Sequence, residues 1–439
     1  MRPRKVKAAW LLSLLLAANT LNFFDRQLLG VVAESVRKEW SLNDTALGGL
    51  GTAFVILYAA VGVPLGRLAD QWSRVRLLSL GVLTWSLMTM LSGLAGSYWT
   101  LLAARFGVGV GEAVCAPCAA SLIGDAYMAR RRGRALAIFM LGLPIGLSLS
   151  SALGGMIAQR YGWRMSFLAA AWPGFLLAAL FYLVQEPARG ELDGVADLNA
   201  ADRASPMAQV MRIPTMWWVI ASGALHNFNL YSLSLFLPAF LIRYHGISLP
   251  QANFLAALAF GGAGAAGMFL GGLLSDRAVR TAPNGRMRVA ATASVFTIPC
   301  LALALLQPQG SVTVFFLGLW LAVLSMYVYY ASVYATIQDV VAPEMRGTGM
   351  ALYFFAMYLL GGALGTIGTG RISDVLARRA ATRMGSVTIS ETAKAIGLHH
   401  AMWIIPVLCA PLALVLFLGA RTVAADMENV HRRGGSYET

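Results

Sequence analysis

Long apolar runs separated by short polar segments make up most of this chain. A membrane-spanning helix needs about 20 consecutive, mostly apolar residues, and the sequence contains twelve runs of this kind. The twelve predicted spans are residues 8–35, 43–69, 76–96, 99–125, 134–159, 164–184, 215–243, 250–275, 288–307, 311–338, 347–371 and 400–420. The hydrophobic pattern therefore predicts an all-α membrane protein with twelve transmembrane helices.

Two longer polar segments interrupt this pattern. Residues 186–213 contain Pro, Gly and acidic side chains, and they predict a cytoplasmic linker between six-helix bundles at residues 1–185 and 214–420. Residues 372–399 predict an extracytoplasmic insert between spans eleven and twelve, within the second bundle. Residues 421–439, which follow the last span, predict a cytoplasmic tail.

The composition argues against a soluble domain and against a nucleic-acid partner. Hydrophobic residues make up 58% of the chain and charged residues 12%, whereas soluble domains carry about 25% charged residues. The net charge is +14, but the basic residues form short clusters between the spans rather than one patch. Because basic residues concentrate in cytoplasmic loops, their distribution predicts an inner (plasma) membrane protein with both termini in the cytoplasm.

An internal repeat supports the division into two bundles. Gly66 and Asp70 at the end of span two match Gly272 and Asp276 at the end of span eight. A duplicated six-helix unit is typical of secondary transporters built from two bundles.

Three stretches of the sequence resemble signatures of the major facilitator superfamily. "GRLADQWSRVR" after span two resembles the family's loop motif, although Gln71 and Ser73 replace the usual Arg and Gly. "RFGVGVGEA" resembles the span-four signature, and "GLPIGLSLSSALGG" resembles the span-five signature. The resemblance covers essentially the whole chain. It implies two six-helix bundles with pseudo-twofold symmetry that transport a substrate by alternating access, rocking against each other.

Within this superfamily the chain resembles a bacterial homologue of the spinster-like branch. "NFFDRQLLGVV" in span one, "GEA" in span four and "LGLPIG" in span five carry this resemblance. Better known members of the branch are proton-linked or facilitative carriers of lysolipids and sphingosine phosphates. The resemblance therefore implies an amphiphilic, anionic, lipid-like substrate.

Four charged residues fall deep inside the predicted spans: Asp25, Arg26, Arg105 and Glu112. Each costs about 2.5 kcal/mol or more at the bilayer centre if it is unpaired, and the resemblance implies that spans one and four are neighbours. We interpret the four as a substrate and proton-coupling site, in which the arginines anchor an anionic headgroup and the acids take up protons. The alternative is a set of ion pairs that only holds two helices together.

Two further groups of residues are candidates for the transport path and its gates. Polar and aromatic residues of spans one, seven and ten are predicted to line the cavity: Asn22, His226, Asn227, Tyr231, Tyr330 and Tyr334. Charged residues at the predicted cytoplasmic ends of the spans are predicted to form gates: Asp70, Arg74 and Asp125, with Asp276 and Arg134 as a weaker mirror set. The alternatives are ordinary helix packing for the first group and solvated loop charges for the second.

These features predict a secondary active transporter rather than an enzyme. The sequence has no HExxH motif and no Gly-x-Ser-x-Gly in a strand–helix setting. None of its four lysines lies in a Gly-Lys-Ser/Thr loop, which excludes an ATP-driven pump for this chain alone. Cys115 and Cys118 form a C-x-x-C in an apolar helix, which favours helix packing over metal or redox work.

The predicted mechanism uses protons as the coupling ion, without a metal or another cofactor. The predicted partners are membrane lipids and the amphiphilic small molecule, and the predicted assembly is a monomer. Two alternatives stay open from the sequence: a proton-coupled carrier of a small organic anion or drug-like amphiphile, and a membrane receptor or scaffold that transports nothing.

Overall fold

The computed structural model describes residues 8–187, 206–342 and 345–435, and in these ranges every regular element is helical. Twenty α-helices occur in this part of the chain. They are α1 (Ala8–Glu39), α2 (Asp44–Gln71), α3 (Arg74–Gly93), α4 (Tyr98–Glu112), α5 (Cys115–Ala126), α6 (Ala129–Met140), α7 (Gly142–Leu149), α8 (Gly155–Tyr161), α9 (Trp163–Leu183), α10 (Pro206–Val210), α11 (Pro214–His245), α12 (Leu249–Ala257), α13 (Gly264–Thr281), α14 (Gly285–Leu305), α15 (Val312–Val340), α16 (Arg346–Ala356), α17 (Leu364–Arg383), α18 (Glu391–Met402), α19 (Ile404–Gly419) and α20 (Val423–Gly435).

Twelve segments of the described chain are long and apolar enough to cross a membrane, as the sequence predicted. Seven of them are single helices or parts of one: α1, α2, α3, α9, α11, α14 and α15. Five combine shorter helices: α4 with α5, α6 through α8, α12 with α13, α16 with α17, and α18 with α19. The protein is therefore an all-α, polytopic integral membrane protein.

Proline explains why span four breaks in the middle. Pro117 has no N–H to donate to the carbonyl of Ala113, and its ring clashes with that carbonyl in a regular helix. The first half of the span accordingly ends at Glu112, and the second half begins at Cys115. Wide π-helical turns interrupt three other spans, at Ser150–Gly154, Leu258–Ala263 and Met357–Ala363.

The chain divides into two compact units. The first unit takes in the described residues up to Leu42 and those from Gly49 to 187, and the second takes in residues 43–48 and those from 206 onward. The first turn of α2 therefore packs with the second unit, which the sequence did not predict. The reason is close helix packing: a Cβ atom at Gly48 would overlap the backbone of Thr366, and one at Gly370 would overlap the carbonyl of Asp44.

Each unit has its own helical core. In the first unit, α3 packs against α9 and α4, and α1 packs against α7 and α9. In the second unit, α15 packs against α13 and α14, while α11 and α14 both pack against α19. Trp85 in the first unit and Tyr327 in the second are among the largest fully buried side chains.

The segment at residues 372–399 differs from the polar insert that the sequence predicted. α17 continues to Arg383 and α18 begins at Glu391, so only residues 384–390 separate the two helices. The end of α17 reads "VLARRAATR", and Ala and Arg are strong helix formers. Its apolar face buries Ala380 and Ala381 against Ala393 of α18, which explains why the charged residues did not end the helix.

The predicted linker and tail contain helices where the structure describes them. Most of the predicted linker at residues 186–213 consists of residues 188–205, which lie outside the described residues. α10 follows them. The predicted tail contains α20, whose Asp426 accepts hydrogen bonds from the Thr215 backbone N–H at 2.9 Å and hydroxyl at 2.6 Å. These bonds fix the start of α20 to the start of α11.

Candidate functional site

The four deep charges that the sequence predicted meet inside the first unit. Arg26 donates from Nε to Glu112 Oε2 at 2.8 Å, and Arg105 donates from Nη1 to the backbone carbonyl of Asp25 at 3.5 Å. The Thr89 hydroxyl of α3 donates to Asp25 Oδ2 at 3.2 Å. Asp25, Arg105 and Glu112 are each at most 1% exposed. Two acids and two bases thus form one buried cluster without net charge, which we call the charged cluster.

Glycines bring span four close enough to its neighbours to build this cluster. A Cβ atom at Gly109 would lie 2.5 Å from the backbone oxygen of Phe54 in α2. One at Gly111 would lie 2.6 Å from the backbone nitrogen of Trp85 in α3. Small residues permit such close helix approach in membranes, and Glu112 follows directly after them. The "GVGVGE" stretch therefore holds the Glu112 carboxylate between packed helices.

Aromatic rings surround the two arginines. The Arg26 guanidinium lies 5.0 Å from the centroid of the Phe23 ring, 5.2 Å from that of Phe54 and 4.3 Å from that of Tyr58. The Arg105 guanidinium lies 5.2 Å from the Phe54 centroid, so both cations share this ring. A desolvated cation over an aromatic face gains about 2 kcal/mol. Phe54 and Tyr58 were not singled out in the sequence, because nothing in their local pattern marks them as arginine contacts.

Four buried polar atoms of the charged cluster and of Asn22, one turn away on α1, have no hydrogen-bond partner among the residues that the structure describes. They are Asn22 Nδ2, Asp25 Oδ1, Arg105 Nε and Glu112 Oε1. Buried polar side-chain atoms are normally paired, and each exception needs an explanation. Two of these atoms are donors and two are acceptors, so together they are suited to bind a small polar group that itself carries both acceptors and donors. Asn22, predicted as a cavity-lining residue, is buried one turn before Asp25 and Arg26 on α1.

The pairing of Arg74 with Asp125 that the sequence predicted is present in the first unit. The structure adds Glu186, which accepts from Arg74 Nε at 2.8 Å, and Ser121, which accepts from Nη1 at 2.8 Å. Burial raises the pKa of Glu186, but hydrogen bonds from Ser73 and Arg74 outweigh it, so the pKa lies below its ordinary value. The Asp70 side chain lies outside the described residues, so its predicted role in this gate stays a prediction.

The second unit contains an equivalent cluster, but with a different basic residue from the predicted one. Arg286 donates to Asp339 Oδ2 at 2.7 Å and to Asp276 Oδ1 at 3.5 Å. Arg134, predicted in this mirror set, is exposed and has no acidic partner among the residues that the structure describes. Arg286 was missed because the repeat was read from the ends of spans two and eight, whereas Arg286 opens α14.

The predicted cavity-lining residues of spans seven and ten gather in one buried cluster of the second unit. The His226 ring stacks on Tyr329 with centroids 3.9 Å apart and meets the edge of Tyr330 at 4.9 Å. Tyr330 donates to Asn227 Oδ1 at 3.3 Å. Tyr334 and Tyr231 contact the periphery, through rings 5.5 Å from Tyr330 and 6.1 Å from Tyr358 respectively.

The same cluster includes polar residues that the sequence analysis did not single out. The Tyr329 hydroxyl lies 2.9 Å from Ser222 Oγ and 3.2 Å from the Tyr353 hydroxyl. His226 Nε2 is buried without a protein partner. The cluster thus contains hydroxyls and rings, and its side chains have no full charge unless His226 takes up a proton.

A third polar cluster fixes the start of α2 within the second unit. Asp374 of α17 accepts from the backbone N–H groups of Asp44 and Thr45 at 2.9 and 2.8 Å, and from the Thr45 hydroxyl at 2.5 Å. Arg243 of α11 donates to both oxygens of Asp44, at 2.8 and 2.9 Å. Ser373 donates to Asp44 Oδ2 at 2.7 Å. A side chain from α17 therefore caps the N-terminus of α2, and we call this group the α2 cap.

Comparisons with known proteins agree with this architecture. The family model of the Major Facilitator Superfamily matches residues 15–366. The chain belongs to the Major Facilitator Superfamily. It is 32% identical over 375 residues to an MFS-type efflux pump of Mycolicibacterium smegmatis, covering 85% of this chain and 86% of that protein.

Two further similarities refine the placement within the superfamily. The chain is 28% identical to a probable L-galactonate transporter of Escherichia coli, covering 85% of this chain and 84% of that protein. Its fold is similar to the crystal structure of a bacterial homologue of the human lysosomal transporter Spinster in an inward-facing, unoccupied conformation. That match has a TM-score of 0.86 and 28% identity, and it covers 96% of this chain and 99% of the other. The protein is thus a spinster-like transporter of this superfamily and not an enzyme.

We expect the α2 cap of this transporter to weaken when Asp374 loses its charge. Asp374→Asn keeps the shape but replaces a carboxylate that accepts two backbone N–H groups. Loss of a helix cap costs about 1 kcal/mol, which corresponds to roughly fivefold faster opening. Hydrogen–deuterium exchange read by mass spectrometry checks this at the amides of Asp44 and Thr45.

A second helix cap in the same unit provides the control. Ser390 accepts from the Ala393 N–H at the start of α18, so Ser390→Ala should accelerate exchange there and leave α2 unchanged. Equal exchange at Asp44 and Thr45 in wild type and Asp374→Asn contradicts the proposed importance of the cap.

Proposed function

We propose that this transporter moves an amphiphile with an anionic headgroup by alternating access, and that protons drive the movement. The observation that carries the proposal is the charged cluster, with four partnerless buried polar atoms close to the middle of the membrane spans. Ionisable groups at this depth are costly and mark substrate or ion pathways. The Spinster similarity supports the same class of protein.

The two arginines differ in how much of their hydrogen-bonding capacity remains for a substrate. Arg26 is engaged by Glu112 and packed among three aromatic rings. Arg105 has a buried Nε without a protein partner, and its one direct bond to Asp25 is long at 3.5 Å. We therefore infer that Arg105 binds the anionic headgroup, while Arg26 holds Glu112.

Proton coupling follows from competition for the same positive charges. An anion that binds Arg105 competes with the neighbouring Asp25 carboxylate for electrostatic attraction to the Arg105 guanidinium. Protonation of Asp25 removes that competition, so anion binding and proton uptake favour one another, as thermodynamic linkage requires. Protonation of Glu112 would in the same way release Arg26.

The second unit contains a cluster that is suited to apolar groups. The side chains of its cluster around His226 and Tyr330 are buried. They are aromatic or uncharged, except when His226 is protonated. Such surfaces suit an acyl chain better than a second charged group. We further propose that opening of the α2 cap is one step of the transport cycle, and that both termini lie on the cytoplasmic side of the plasma membrane.

A small organic anion is the second candidate substrate. The similarity to the probable L-galactonate transporter favours it, and a polyhydroxy acid would satisfy both the donors and the acceptors of the charged cluster. A drug-like amphiphile is the third candidate, and the similarity to an efflux pump supports export without indicating the substrate. These candidates differ in the size of their apolar portion, which transport assays can separate.

Flux measurements in proteoliposomes test the proposal. We expect uptake of lysolipids with phosphate headgroups, accelerated by an inward proton gradient, and slower uptake of a lysolipid without net charge. Galactonate serves as the competing substrate in the same vesicles. Gradient-driven galactonate flux without lysolipid flux would assign the transporter to small organic anions, and flux of neither would contradict both candidates.

A further inference from the structure

A groove in the first unit lies outside the charged cluster. It has a volume of about 390 Å³ and runs between α1 and the start of span five. Its lining residues are Ala9, Leu12, Ser13, Leu16, Tyr127, Arg134, Ala135 and Ile138. Most of them are apolar, and none belongs to the charged cluster. The volume is within the range of small-molecule sites.

The position of the groove along the spans indicates the environment of each end. Span one includes α1 from Ala8, and span five includes α6, which begins at Ala129. Because both spans are odd-numbered, they start on the same side of the membrane. Leu16 lies seven residues after Ala9, which corresponds to about 10 Å along the helix. The groove therefore extends from the headgroup region, beside Arg134, into the acyl region, beside Leu16.

The chemistry of the lining changes in the same direction. Arg134 is exposed at the span boundary and has no acidic partner in the part of the chain that the structure describes. Tyr127 supplies a hydroxyl near the same end. Leu12, Leu16 and Ile138 form the apolar wall. A guanidinium without an acidic partner among the described residues, followed by an apolar channel, is complementary to an anionic headgroup followed by a hydrocarbon chain.

We propose that this groove binds an anionic phospholipid of the surrounding leaflet. The phosphate contacts the Arg134 guanidinium, and one acyl chain lies along Leu12, Leu16 and Ile138. Charge complementarity favours an anionic lipid over a zwitterionic one, because a zwitterionic headgroup brings its own cation to the phosphate. This site is separate from the charged cluster, so it does not depend on which substrate is transported.

Photolabelling in lipid nanodiscs tests this site. The probe is a phosphatidylglycerol with a diazirine in one acyl chain, in a phosphatidylcholine background, and labelled residues are mapped by mass spectrometry. We expect labels on α1 and α6 at Leu12, Leu16 and Ile138. Arg134→Gln should reduce this labelling roughly tenfold, the size expected when one charge-assisted hydrogen bond is lost, and Arg134→Lys should retain part of it.

Two further variants separate charge from shape. Ser13→Phe fills the groove without altering its charge, and we expect it to remove the labels at Leu16 and Ile138. Arg160→Gln removes an exposed arginine near the other end of span five and should leave labelling unchanged. Monodisperse elution of each variant confirms that it is folded.

Three results would overturn the proposal. One is equal labelling by a matched phosphatidylcholine probe, which would show that headgroup charge is irrelevant. Another is unchanged labelling in both Arg134→Gln and Ser13→Phe. The third is displacement of the label by an equimolar lysolipid but not by unlabelled phosphatidylglycerol, which would assign the groove to a transported amphiphile instead of a membrane phospholipid.

Discussion

Proteoliposomes that contain the Asp25→Asn, Glu112→Gln double variant are expected to show no substrate-dependent proton uptake. Asp25 and Glu112 lie close to the middle of their spans, Ala8–Glu39 and Tyr98–Ala126. Both substitutions keep the shape of the protonated acid, and both leave the two arginines in place. Each substitution also leaves a buried arginine without its acidic partner, which costs stability, so monodisperse elution of the variant is checked first. The folded variant should retain substrate binding and downhill exchange, while accumulation driven by a proton gradient is lost. A pH-sensitive dye inside the vesicles measures proton uptake directly.

The single variants and one control identify which acid carries the proton. We expect Asp25→Asn to lose most of the coupling, because Asp25 competes with the anion for Arg105. Glu34→Gln is the matched control, since Glu34 is also a buried acid on α1 but pairs with Arg37 at 2.8 Å near the end of the helix. Wild-type proton uptake in the double variant would show that the charged cluster only holds helices together and does not couple transport to protons.

The charged cluster could be predicted from the sequence only as a set of residues. Full charges in the middle of apolar spans are conspicuous, and so Asp25, Arg26, Arg105 and Glu112 were identified without a structure. Their partners were not predictable, because the donor and acceptor of the Arg26–Glu112 bond are 86 residues apart. The sequence therefore assigned the same role to both arginines, whereas their different contacts support the different roles that we propose.

The partners of charged residues at the helix ends, in the Arg74 cluster and the α2 cap, were even harder to predict from the sequence. Arg74 and Asp125 lie at the predicted cytoplasmic ends of neighbouring spans, so they could be predicted as members of one gate. Glu186 joins them from 112 residues away, and Asp374 caps α2 from 330 residues away. Neither acid lies in a motif, and an acid near a helix end is ordinarily solvated. Only the packing of the helices brings these side chains to their partners.

The end of span eleven differs from the predicted one for a different reason. Charged residues suggested that the span ends near residue 371, but α17 continues to Arg383. Hydropathy measures where a helix leaves the apolar region and not where the helix itself ends. Ala and Arg favour continued helix, and burial of Ala380 and Ala381 against α18 stabilises the extension.

We expect Arg105→Gln and Arg26→Gln to fail in different ways. Arg105→Gln should weaken binding of an anionic substrate roughly 10- to 100-fold, because a charge-assisted hydrogen bond contributes about 1.5–3 kcal/mol. Arg26→Gln should instead destabilise the protein, since removal of one partner from a buried ion pair costs about 3–5 kcal/mol. Equilibrium binding of a phosphate-bearing lysolipid and thermal unfolding in detergent measure the two effects separately.

A double variant makes this contrast decisive. Arg26→Gln with Glu112→Gln removes both charges of the pair and should recover most of the lost stability, because no buried charge is left alone. Adding Glu112→Gln to Arg105→Gln should not restore substrate binding, because the guanidinium that binds the anionic headgroup is still absent. If Arg26→Gln loses affinity as strongly as Arg105→Gln while its thermal unfolding stays unchanged, then Arg26 binds the headgroup as well, and the assignment of Arg105 as the principal anchor is wrong.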